Sequence, residues 1–193
     1  MTNALITLTI DDPESMARLG ARLAARLTAG DVVLLTGELG AGKTTLTRGL
    51  GAALGVRGTV TSPTFVLART HPRESGPPLV HVDAYRLSGA DELDDLDLDL
   101  DRSIVVIEWG AGLIEHLVDE WLAVTIERPT GALAPASATS RSEGDPATEA
   151  NPEEPATPDV VAEATAPIEP RTVTIEGIGP RWSDLGWLHA AGD

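Results

Sequence analysis

A run of β-formers, Val32-Val33-Leu34-Leu35-Thr36, stops at Gly37, and five residues later comes Gly42-Lys43-Thr44. Together they complete the spacing G-x-x-x-x-G-K-[ST], and a helical pattern, Leu46-Thr47-Arg48-Gly49-Leu50, follows. These residue types suit phosphate chemistry. Glycines let the backbone curl until consecutive N–H groups point at phosphate oxygens. The helix N-terminus behind them adds partial positive charge. Lys43 is placed to reach the β- and γ-phosphates, and the Thr44 hydroxyl to ligate Mg²⁺. Lys43 is also the only lysine among 14 basic residues. In a chain that otherwise uses arginine, it marks a position that wants a compact ammonium rather than a guanidinium fork. Gly37, Glu38, Leu39, Gly40, Ala41, Gly42, Lys43, Thr44 and Thr45 are therefore read as a nucleotide-binding loop.

Such a loop needs carboxylates beside it, and two apolar runs end on one. Ser103-Ile104-Val105-Val106-Ile107-Glu108 has the Walker B pattern, and Leu79-Val80-His81-Val82-Asp83 is a second strand of the same kind. A buried parallel strand delivers its last residue to the carboxyl edge of the sheet, where nucleotides bind in open α/β folds. Glu108 and Asp83 are both candidates to hold Mg²⁺ or to orient the attacking water, and their division of labour stays open. Trp109 is placed to cover the nucleotide or a partner, or else in the core. Arg128, at the end of the Trp121–Arg128 strand, is placed to approach the nucleotide. Thr61-Ser62-Pro63-Thr64-Phe65 is extended and turns at Ser62-Pro63. Its hydroxyls suit either a segment that senses the γ-phosphate or its metal, or a polar hairpin.

The elements that carry these residues follow from pattern. Ala4–Ile10 reads as a strand, and Asp12, Pro13 and Ser15 supply helix-start chemistry. Met16, Leu19, Leu23 and Leu27 then recur at helical spacing, with Gly30 as the helix stop. Arg18, Arg22 and Arg26 form a basic stripe, either a solvated face or a partner surface. The tract 91–101 holds seven acids, with Leu93, Leu96 and Leu100 at helical spacing; it reads as a solvated helix and loop. Strands resume at 171–176, and 182–188 closes the domain. The expected fold is α/β, a P-loop NTPase-like three-layer sandwich around a mixed, mostly parallel sheet. Residues 1–128 plus 171–193 form the ATPase domain. Residues 129–170 hold eight of the 14 prolines, eight acids and one arginine, and read as a disordered insertion between two neighbouring antiparallel strands.

Composition narrows the function. The formal charge of −16 argues against a nucleic-acid footprint, which wants a basic face; any tRNA contact is expected through a partner, with no DNA binding. Without cysteine there are no disulfides or thiolate metal sites. No apolar run approaches the roughly 18 residues of a membrane span, and a cytoplasmic location is expected. A GTPase needs an N/T-K-x-D motif for guanine, and the lone lysine is spent in the loop, so adenine is favoured. A small-molecule kinase is the alternative, but it usually needs a lid carrying arginines. A nucleotide-dependent switch that acts on a protein partner fits better.

Four segments occur in order with compatible gaps: Gly37–Leu46, Thr61–Phe65, His81-Val82-Asp83-Ala84-Tyr85-Arg86-Leu87, and Ile107-Glu108-Trp109. The set resembles the TsaE (YjeE) family over residues 4–128 and weakly over 171–188. The resemblance implies an ATPase, weak alone and stimulated by TsaD and TsaB, that supports threonylcarbamoyladenosine modification of tRNA. It implies ATP and Mg²⁺ as cofactors, with phosphates on Gly37–Thr45 and Mg²⁺ on Thr44 and Glu108. It further implies Asp83 as catalytic or switch carboxylate, Ser62–Phe65 as a switch-like segment, and Trp109 and Arg128 near the nucleotide. One departure stands out. Where the family commonly has a threonine early in the first helix, this chain has Met16 with Ser15 beside it.

Overall fold

The computed structural model describes residues 3–129 and 169–188. The strands are β1 (Ala4–Ile10), β2 (Val32–Thr36), β3 (Ala68–His71), β4 (Leu79–Asp83), β5 (Ile104–Glu108), β6 (Trp121–Glu127) and β7 (Arg171–Ile178). The helices are α1 (Pro13–Ala24), α2 (Lys43–Leu54) and the short α3 (Ala90–Asp94). One sheet forms in the order β1-β7-β6-β2-β5-β4-β3. Its centre, β6-β2-β5-β4, is parallel; β3 pairs antiparallel with β4, β7 antiparallel with β6, and β1 antiparallel with β7.

The unbroken apolar runs of β2 and β5 are what a strand covered on both faces requires. Side chains alternate across a strand, so Val33 and Leu35 enter one core and Val32 and Leu34 the other. The first core packs the sheet against α1 and α2 through Leu19, Leu23, Leu46 and Leu50. The second lies under Leu93 and Ile114, with Leu96, Leu98 and Leu100 partly buried against it. The expected helix of the acidic tract is thus one turn and a half, and the leucines beyond Asp94 reach the core from a loop and a turn of 3₁₀ helix.

Helix α1 starts as its chemistry dictates. Asp12 Oδ1 accepts from the Ser15 N–H at 2.6 Å, with Pro13 at the first helical position. It ends at Ala24, short of Gly30. Arg26 and Leu27 bond back to Leu23 and Ala24 in i→i−3 fashion, so the last turn tightens and the chain leaves while Leu27 is still buried. Helices α1 and α2 approach at backbone distance. A methyl group on Gly20 would collide with the Leu46 carbonyl, and one on Gly49 with that of Ala17. This close packing seats the N-terminus of α2 against the sheet edge.

Of the basic stripe, Arg18 and Arg26 are exposed and Arg22 is half-buried. Arg22 donates to the Leu188 carbonyl, Arg26 lies over the Trp187 ring at 5.4 Å, and Arg18 bonds Ser15. The closing segment is held further by Arg181, whose guanidinium bonds Asp31 at 3.1 and 3.2 Å and the Arg26 carbonyl at 2.7 Å. Strands β6 and β7 are antiparallel neighbours, as expected for the flanks of the insertion. The insertion, expected from its composition to be disordered, lies outside the described residues apart from Pro129, Glu169 and Pro170. Among the described residues no helix is long and apolar enough to cross a membrane.

Candidate functional site

Strand β2 leads into the loop at Gly37, where the backbone passes the Ile126 carbonyl so closely that a Cβ would sit 2.5 Å from its oxygen. The loop ends at Gly42, the N-cap of α2, whose φ of 120° excludes ordinary side chains. No side chain caps α2, which leaves its first N–H groups available to an anion. Lys43 folds back beneath the loop and donates to the Gly37 and Glu38 carbonyls at 2.7 and 3.1 Å. It is buried at 5 % exposure. Burial lowers its pKa from the ordinary lysine value, and the charges of Glu108 and Asp83 oppose that shift.

Asp83 and Glu108 are direct partners in the register of β4 and β5, so the two strand-end carboxylates arrive side by side. Each is held. Thr64 Oγ1 donates to Asp83 Oδ2 at 2.6 Å, and the Tyr85 N–H donates to Oδ1 at 3.1 Å. Glu108 Oε1 accepts from Thr44 Oγ1 at 3.2 Å and lies 2.9 Å from His81 Nε2. The 61–65 segment forms neither strand nor hairpin. It turns after Pro63, with Ser62 and Thr64 hydroxyls 2.7 Å apart, and Arg86 bonds the Thr64 carbonyl at 2.7 Å.

Around these residues opens a cleft of about 510 Å³ lined by Leu39, Gly40, Gly42 to Thr45, Ser62, Thr64, Asp83, Tyr85, Glu108 and Trp109. Small-molecule sites run from about 300 to 1,000 Å³, a range that includes this cleft. Trp109 is a wall of the cleft. Its backbone has a φ of 63°, a strained region that clusters at functional positions. Its ring lies 4.1 Å from Lys43 Nζ, with Tyr85 edge-on at 5.5 Å.

The remaining expected residues fall around the cleft. Ala41 is buried under the loop at 3 % exposure, and Gly37 and Glu38 contribute their carbonyls to Lys43. Arg128 stands just past β6 and bonds the Gly40 carbonyl at 3.1 Å, bracing the loop from outside. Met16 packs against Gly42, with Cε 3.4 Å from where a Cβ would be, in place of a hydroxyl. Among the described residues no three His, Cys, Asp or Glu side chains converge as a metal cage. The oxygens of Thr44 and Glu108 are instead what Mg²⁺ takes when substrate phosphates and water complete its shell.

Sequence reasoning assigned no role to Tyr85, Arg86 or His81. For His81 the signal was its place two residues before Asp83, which puts both on one sheet face. His71, on the edge strand β3, is also buried; burial lowers its pKa, with His81 and Arg69 adding to the effect.

A family model described as "Threonylcarbamoyl adenosine biosynthesis protein TsaE" matches residues 10–133. Proteins named tRNA threonylcarbamoyladenosine biosynthesis protein TsaE are similar to this chain. That of Streptomyces coelicolor is 63% identical over 123 residues, 62% of this chain and 83% of the relative. That of Bacillus subtilis is 38% identical over 120 residues, 61% of this chain and 74% of the relative. The crystal structure of Bacillus subtilis YdiB matches with a TM-score of 0.62 at 25% identity, covering 98% of this chain and 95% of that one.

Proposed function

The chain belongs to the TsaE family of threonylcarbamoyl adenosine biosynthesis proteins, and from that premise we propose that it is a Mg²⁺-dependent ATPase. It acts as a nucleotide-dependent switch in tRNA threonylcarbamoyladenosine modification, with TsaD and TsaB as partners and tRNA contacted through them, in the cytoplasm. The observation that carries the reading is the convergence of Lys43, Thr44, Asp83 and Glu108 on one cleft at the carboxyl edge of the sheet.

In this reading the loop N–H groups and Lys43 bind the phosphates, Lys43 exchanging its bonds to Gly37 and Glu38 for phosphate oxygens. Thr44 and Glu108 would hold Mg²⁺, which would supply positive charge against the phosphates. Asp83 orients the attacking water and takes its proton. Thr64, bonded to Asp83, couples the 61–65 segment to the chemistry, so a partner that moves the segment changes the water-positioning group. Trp109 and Tyr85 line the cleft beside Lys43.

The test is ATP hydrolysis by the purified chain, alone and with TsaD–TsaB. Slow turnover that rises sharply with the partners is the expected result. Turnover unchanged by the partners, with phosphate passed to a metabolite, would favour a small-molecule kinase.

A further inference from the structure

Glu108 is 4 % exposed, and its Oε1 is shared by two neighbours, Thr44 Oγ1 and His81 Nε2. Its Oε2 accepts no hydrogen bond among the described residues, although Glu108 lines the cleft. The 2.9 Å separation is a hydrogen-bond distance, and a carboxylate oxygen there accepts from an Nε2–H. His81 is fully buried and its Nδ1 has no partner. One strand further out, His71 is buried with an equally unpartnered Nε2, and the register places it diagonal to His81 on the same face. A row of buried side chains thus crosses β3, β4 and β5 and ends on Glu108.

Two polar rings buried with unpartnered nitrogens are costly in a core, and leucine or valine would fill these places more cheaply. What the cost brings is orientation. Resting on the reading that the cleft binds a Mg²⁺-nucleotide, we infer that His81 is a positioning residue, whose Nε2–H pins Oε1 of Glu108 beside Thr44 and leaves Oε2 for the metal. Groups of this kind behind a metal ligand restrict its rotamers, and their loss costs about 10- to 100-fold in metal affinity.

The experiment compares His81→Gln with His81→Asn in the full chain. A glutamine amide reaches the place of Nε2, whereas an asparagine amide reaches only that of Nδ1. The readout is the Mg²⁺ concentration that half-maximally tightens ATP binding, measured by calorimetric titration, with thermal melts as the folding control. His81→Asn is expected to raise that concentration about 10- to 100-fold, His81→Gln to stay near wild type, and both to bind ATP equally without Mg²⁺. Equal Mg²⁺ requirements in the two folded variants would overturn the inference. Imidazole ¹⁵N spectra of the wild type decide independently of folding: a proton on Nε2 is required, and one on Nδ1 alone would overturn it. If wild-type ATP binding ignores Mg²⁺ altogether, the metal reading of Glu108 itself fails.

Discussion

Lys43→Ala is expected to lose ATP binding while keeping the fold. The ammonium is held by two loop carbonyls rather than by the core, and no other lysine exists to replace it. Removing one member of a desolvated charge pair costs about 2–5 kcal/mol, roughly 30- to 5,000-fold in affinity. Lys43→Arg is expected to fail too, because a guanidinium is too broad for a position this buried. Equilibrium ATP titration with melting curves checks both. A folded Lys43→Ala chain with wild-type affinity would remove the phosphate loop from the account.

Asp83→Asn is expected to separate binding from chemistry. Asparagine keeps the size and an oxygen for the Tyr85 N–H but cannot take a proton from water, so turnover should fall about 10²- to 10⁴-fold with ATP affinity near wild type. Glu108→Gln weakens a Mg²⁺ ligand instead, and should raise the Mg²⁺ requirement of binding and hydrolysis together. Single-turnover hydrolysis beside the binding titration distinguishes the two. Equal loss of ATP affinity in Asp83→Asn and Lys43→Ala would contradict the roles assigned here.

The phosphate loop was legible because its constraints are local: two glycines, a lysine and a threonine at fixed spacing between an apolar run and a helix. The carboxylates were legible singly, since each ends an apolar run. Their pairing was not, because it depends on β4 and β5 being parallel neighbours in the register Asp83↔Glu108, a long-range fact. For the same reason the contact between His81 and Glu108 escaped notice. Strand β3 was missed because Ala-Arg-Thr-His at a sheet edge carries no apolar alternation. The periodicity of α1 ran past its true end because Leu27 stays buried after the helix has tightened and stopped. The contacts of Arg22 with Leu188 and of Arg26 with Trp187 were not legible, because those partners lie about 160 residues away in the chain.

The central claim is that this cleft binds ATP with Mg²⁺. Equilibrium titration of the wild-type chain with ATP and with GTP, with and without Mg²⁺, followed by intrinsic tryptophan fluorescence, tests this directly. Saturable ATP binding that Mg²⁺ tightens, with GTP weaker, is the expected result. No saturable nucleotide binding, or binding that favours GTP, would contradict it.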